Sequence, residues 1–313
     1  MNKSTRDAWG ETILKLAGEN KDIVVLSADS ELSMRLTNFK NKYPDRYIEV
    51  GIAEQNLVNI GAGLATTGKI PFVTTYSVFL SMRACEQVRT FIAYPNLNVK
   101  LIGANGGIYA GEKEGPTHQS FEDFSIFRTF PNMMVLSPTD AIETIDAVKM
   151  SAEHRGPVYI RLGGPPTPVY NKKKLTAGKV ELLSDFGSDI AIFATGIMIF
   201  KSLEAADILN RKGIHVKVIK VDKIKPIEKD EIIKYLKETG NAITCEDHMI
   251  NGGLGSAISE IIAENVNSNL VRIGIKDIFP ESGSGEELFD KYEMNTKDVV
   301  KAAEEMIKVK RQF

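Results

Sequence analysis

From residue 22 onward, short β-branched runs alternate with stretches of helical periodicity, and this alternation restricts the chain to a small set of folds. "DIVVLSAD", "YIEVG", "IPFVTTY", "VKLIGAN", "MMVLSP" and "PVYIRLG" read as strands, with helical patterns over 52–67, 79–93 and 139–154 between most of them. Strand and helix in turn predict a mainly parallel, doubly wound sheet covered on both faces. "GGPPTPVYNKKKLTAGK", 163–179, breaks the pattern with prolines and a run of lysines and reads as a linker. A shorter α/β alternation follows, with strands near 189–195, 215–221, 242–246 and 271–275, and it closes on the helix "TKDVVKAAEEMIKVKR". The expected organisation is an α/β domain over 1–168, a linker over 169–186 and a smaller α/β domain over 187–313.

Formal charge is −2, from 39 basic and 41 acidic residues. That balance leaves no broad basic surface for nucleic acid and favours a small metabolite as ligand. Cys85 and Cys245 stand in no metal-ligand or redox spacing, so a reducing, cytoplasmic setting is expected. "MNKSTRDAWGETILKL" reads as an amphipathic helix interrupted by charges and not as a signal peptide. No segment reaches the ~18 apolar residues of a membrane span. In an open parallel sheet, ligands bind beyond the carboxyl ends of the strands. Asp29, Glu54, Tyr76 and the segment from Gly103 all fall at such ends.

"VGIAEQN", Val50 to Asn56, places the acid Glu54 where an apolar helix begins, with Leu57 and Val58 on the same face. An acid in a first turn suits the helix dipole, which is reason enough for it when the motif is read alone. "GIAEQN", then "YSVFLSMRACEQVR", then "GPTHQSFEDFSIFR", in that order and spacing, resembles the thiamine-diphosphate enzymes of the transketolase family. The resemblance makes 1–168 a pyrimidine-binding domain, and "EDHMINGGLGSAISE" places the remainder with the family's C-terminal domain.

The resemblance implies roles for particular residues. Glu54 would hydrogen-bond a ring nitrogen of the cofactor's aminopyrimidine and favour the imino tautomer, whose exocyclic nitrogen takes the proton from the thiazolium carbon. Phe79 would stack on the pyrimidine and Tyr76 line its edge, while Met82 occupies a place where relatives often carry an aromatic. Asp29 matches an acid that reaches the cofactor from across the dimer interface. His118 would face the reacting carbonyl, donating to a developing alkoxide or shuttling a proton. Arg161 and Ser33 match residues that bind the sugar phosphate, and Glu114 aligns with an acid that reads substrate hydroxyls. Gly106 and Gly107 stand where many relatives have a further histidine, so the loop 106–114 is expected over the cleft mouth, its glycines leaving room there. Arg83, Glu86 and Arg89 carry no assigned chemistry, His154 reads as a helix-end residue, and His248 matches a position without a known role. "GAGLATTG" and "NGGLGS" lack the spacing of a dinucleotide loop and read as helix packing or entry.

The family holds the diphosphate through Mg²⁺ bound by a Gly-Asp-Gly motif and a later Asn, and no such run occurs in this sequence. The chain is therefore expected to be the C-terminal subunit of a split transketolase, a transferase of the pentose phosphate pathway. A separate N-terminal subunit would hold the diphosphate and metal in an α2β2 heterotetramer built on a self-dimer of this chain. A deoxyxylulose-phosphate-synthase-like or other thiamine-diphosphate enzyme subunit is the alternative within the same chemistry, and a non-catalytic assembly or regulatory subunit is the alternative outside it.

Overall fold

The β-branched runs become strands buried along their whole length, as the central strands of a sheet covered on both faces must be. The computed structural model describes residues 2–110, 114–170 and 174–310. In chain order the strands are β1 (Asn2–Lys3), β2 (Ile23–Ser27), β3 (Tyr47–Glu49), β4 (Ile70–Tyr76), β5 (Lys100–Ala104), β6 (Met134–Leu136) and β7 (Val158–Arg161). They continue with β8 (Thr167–Pro168), β9 (Glu181–Asp185), β10 (Ile190–Ala194), β11 (Val216–Lys220), β12 (Lys223–Lys225), β13 (Asn241–Met249) and β14 (Asn269–Ile275).

Two sheets carry the fold. The first has seven strands in the order β12-β6-β7-β5-β4-β2-β3, all parallel except the edge strand β12. The second has five, in the order β14-β13-β10-β11-β9, all parallel except the edge strand β9. In the first sheet the chain passes from β2 outward to β3 and then returns to β4 on the other side of β2. The crevice at this reversal, beyond the ends of β2 and β4, is where a doubly wound sheet binds its ligand. Asp29 and Tyr76 stand at those two ends.

The linker region is more structured than its composition suggests. β8 pairs antiparallel with β1, tying Thr167 to Lys3, and β9 enters the second sheet against β11. β12, from the second half of the chain, crosses over to extend the first sheet beside β6. One apolar cluster is correspondingly continuous across the two halves, with Leu57, Val73 and Phe127 joined to Phe193, Ile219 and Ile258.

Polar clamps reinforce that contact. Lys220, fully buried, meets Glu143 of the first half, with Asp222 at 3.1 Å and Glu181 at 3.1 Å on the same ammonium. Burial and the neighbouring Asp222 raise the Glu143 carboxyl, whereas its carboxylate neighbours hold Lys220 protonated against the opposing effect of burial. Among the described residues, no helix is long and apolar enough to cross a membrane.

Candidate active site

Glu54 opens the helix Glu54–Thr66, whose N-cap Ala53 offers no side-chain acceptor. Only 1% of Glu54 is exposed, with Leu57 and Val58 buried beside it. The turn leading to it is set by Glu49 at the end of β3. One Glu49 oxygen accepts from the backbone N–H of Asp29 at 2.7 Å and of Gly51 at 2.9 Å, and the other accepts from the Tyr47 hydroxyl at 3.0 Å. Burial disfavours the Glu49 anion, but these donors outweigh it and hold the group below the usual carboxylate range. Burial also pushes the Tyr47 phenol well above its ordinary value. Asp29 is held in the left-handed region, at φ 50°, by the same anchor. Sequence reading passed over Glu49, although an acid at the carboxyl end of a strand, two residues before Gly51, was a signal available to it.

Tyr76 is the last residue of β4, and Phe79 begins the π-helical turn Phe79–Arg83 that follows. His118 reaches them from the turn that starts at Gly115, whose carbonyl accepts the His118 and Gln119 N–H groups. The three rings form an edge-to-face cluster, with centroids 5.8 Å apart for Tyr76–Phe79, 5.7 Å for Tyr76–His118 and 5.1 Å for Phe79–His118. His118 Nδ1 lies 3.0 Å from the Thr117 hydroxyl, so the tautomer follows from which of the two donates. Arg83, to which no chemistry was assigned, joins this cluster to the acid. Its Nη1 donates to Glu54 Oε2 at 2.9 Å and its guanidinium lies 4.3 Å from the Phe79 ring centre. Met82 is 46% exposed on the same turn.

The residues expected at the sugar end lie further apart. The Ser33 hydroxyl donates to the Ser30 carbonyl at 3.0 Å, and Glu114 is exposed before the Gly115 turn. Arg161 is 6% exposed. Its Nη1 donates to the Asp247 carbonyl at 2.8 Å, its Nη2 to the Ser120 carbonyl at 2.6 Å, and its Nε faces Asp123 at 3.0 Å. The guanidinium is thus spent on internal contacts, with Ser120 and Asp123 of its own half and Asp247 of the other. Arg6 is a cation that the motifs did not flag. Its Nη2 donates to the Gly164 carbonyl at 2.9 Å, and its buried Nε has no hydrogen-bond partner among the described residues. Burial lowers its pKa, Arg35 lowers it further, and Tyr76, Asp7 and Glu114 oppose that shift.

Gly106 and Gly107 do not leave open space, contrary to the expectation from sequence. A Cβ on Gly106 would stand 2.2 Å from Arg161 Nε, and one on Gly107, at φ 84°, would stand 2.0 Å from an Asp247 oxygen. The glycines permit close packing of this loop on the second half of the chain, where Asp247 accepts the Ile108 and Tyr109 N–H groups. Residues 111–113 of the expected 106–114 loop lie outside the described residues.

His154 ends the helix Ala141–Glu153, in the place its sequence suggested. His248 is buried at the end of β13 and stacked on Phe124 with 4.9 Å between ring centres. Burial lowers its pKa to about 4, so the ring is neutral, and its Nδ1 pairs with the Met249 carbonyl at 2.6 Å. Glu246 beside it caps the helix Leu254–Asn265 through the Leu254 and Gly255 N–H groups.

Comparison with known proteins bears on this arrangement. Residues 1–165 match the family described as "Transketolase, pyrimidine binding domain", and residues 178–299 match "Transketolase, C-terminal domain". The chain is 41% identical over 311 residues to a putative transketolase C-terminal section of Methanocaldococcus jannaschii, covering 98% of this chain and 97% of that protein. It is 39% identical over 303 residues to a 6-deoxy-6-sulfo-D-fructose transketolase subunit of a Clostridium species, covering 96% and 94%. A solved structure described as a split-gene transketolase, inactive beta4 tetramer, superposes with a TM-score of 0.89 at 40% identity, covering 97% of this chain and 98% of that one.

Proposed function

The chain belongs to the transketolase family, and from that premise we propose that it is the C-terminal subunit of a split transketolase. In this reading it moves a two-carbon ketol unit from a ketose phosphate to an aldose phosphate in the cytoplasm, within pentose phosphate metabolism. Thiamine diphosphate is the cofactor, and a separate N-terminal subunit supplies its diphosphate and Mg²⁺ ligands. Relatives named as a section or a subunit align over 97% and 94% of their own lengths, which supports a subunit of this size.

The observation that carries the reading is one buried carboxylate, Glu54, beside one aromatic face, Phe79, with a planar N–H donor already resting on both. An aminopyrimidine is also planar, also hydrogen-bonds a carboxyl group, through a ring nitrogen, and also stacks, so these residues fit the ring. When bound, the cofactor supplies the carbanion chemistry that the protein's own side chains lack. Glu54 holds a proton against the ring nitrogen, Phe79 and Tyr76 orient the ring, and Met82 closes its exposed side. His118, in edge contact with both aromatics, donates to the oxygen of the reacting carbonyl. Ser33 and Glu114, joined by Arg6, read the sugar's phosphate and hydroxyls, with Arg161 supporting the loop from behind. Asp29 faces the partner subunit.

Purification from the native cell with its bound partner, followed by a ketol-transfer assay on ketose phosphates, tests this reading. Ketol transfer by the pair, lost with a Phe79→Ala subunit, is the expected result. A purified pair that transfers no ketol unit from any ketose phosphate would remove it.

A further inference from the structure

Arg83 is held in place by interactions that have nothing to do with its being on a helix surface. The π-helical turn is closed by the Ala84 N–H donating to the Phe79 carbonyl at 3.1 Å, which sets Phe79 and Arg83 on one side of the turn. Gln55, the residue after Glu54, donates through Nε2 to the Arg83 carbonyl at 3.2 Å and fixes that backbone against the catalytic helix. From there the side chain folds back over the Phe79 ring to the Glu54 carboxylate. A buried carboxylate is unfavourable without a paired charge, and Arg83 is the cation that pairs with Glu54. Yet 46% of the Arg83 side chain remains exposed, so its long arm can swing away without unpacking the core.

We propose that Arg83 is a resident plug: its guanidinium occupies the pyrimidine position on Glu54 and Phe79 while the cofactor is absent and is displaced when the cofactor ring docks. The proposal rests on the thiamine-diphosphate reading above. Its physical content is competition, because two planar groups cannot share one carboxyl edge and one ring face. The plug keeps Glu54 charge-paired before assembly and lowers the apparent affinity for the ring by the fraction of molecules in which the face is free. It also keeps an isolated subunit from binding the ring alone.

The test uses the assembled complex with its partner subunit, Mg²⁺ and thiamine diphosphate. Calorimetry gives the cofactor Kd and stopped-flow measurement gives its association rate, for the native chain, Arg83→Met and Arg83→Lys. Arg83→Met keeps the apolar stem and removes the planar cation, so it is expected to bind the cofactor about tenfold more tightly and to associate faster. Arg83→Lys keeps the charge without the planar fork and is expected to fall between the two. If Arg83 merely supported the fold or gripped the cofactor, both variants would bind more weakly, and equal or weaker binding by Arg83→Met overturns the plug. If Arg83→Met fails to fold, Arg83→Lys decides by the same sign. Absence of binding by the native complex and the variants alike would instead remove the cofactor reading itself.

Discussion

At Glu54 a carboxylate with 1% exposure is, among the described residues, paired with the Arg83 guanidinium, so the chemistry of this position can be changed without changing its shape. Glu54→Gln keeps a hydrogen-bonding side chain of the same size but holds no transferable proton. In the assembled enzyme, hydrogen-isotope exchange at the thiazolium carbon of the cofactor should slow by about two orders of magnitude or more, as expected for loss of a positioned acid–base group. An exchange rate near that of the native enzyme would show that Glu54 has another task. Burial of this acid was legible because Leu57 and Val58 follow it at helical spacing. Its partner was not, since a π-turn leaves no mark in a single sequence and Arg83 lies 29 positions away. The same holds for Glu49, whose value comes from the N–H groups of Asp29 and Gly51 meeting one oxygen, a meeting that only the pairing of β2 with β3 arranges.

Among the elements, the loop after β5 and the end of β13 form one packed joint. Gly106→Ala would drive a methyl into Arg161, which is itself fixed by Asp123, Asp247 and Ser120. Overpacking of this kind costs about 1–3 kcal/mol, so the thermal midpoint of Gly106→Ala should fall clearly below that of the native chain. An unchanged midpoint would mean that Arg161 yields freely. The joint is also rich in buried acids. Burial lifts Glu246 to about 7, Glu122 to about 7 and Asp247 to about 6. A carboxyl raised in the folded state contributes stability that is complete below its unfolded pKa of about 4 and is lost as pH rises through the folded value. His248 has the opposite sign, but its contribution is already complete above about pH 6.5. Unfolding midpoints should therefore decline from about pH 6.5 to about pH 8, and Glu246→Gln should flatten the decline. A midpoint that climbs over that interval would contradict the assignment. The alternation of β-branched runs and helices made most strands of both sheets legible. The two antiparallel edge strands β9 and β12 were not, because each is short and pairs far from its sequence neighbours: "ELLSD" lay inside a presumed linker, and "KIK" joins the sheet of the other half.

For the molecule as a whole, the two halves form one packed body. The apolar core crosses between them, and the buried Lys220 gathers Glu143 from one half with Asp222 and Glu181 from the other. Lys220→Met would strand those acids, a loss of about 3–5 kcal/mol that should appear as a lowered unfolding midpoint. Leu32, Ile52 and Met82 are exposed on the segments that carry Ser33, Glu54 and Phe79, as expected of a surface that a second chain covers. In the assembly proposed above, this chain holds the ring end of a cofactor site and a partner holds the phosphate end. Calorimetric titration of thiamine diphosphate with Mg²⁺, into the chain alone and into its complex with the copurified partner, measures that division directly. No saturable binding by the chain alone and micromolar, Mg²⁺-dependent binding by the complex are expected, whereas micromolar Mg²⁺-dependent binding by the chain alone would contradict that division.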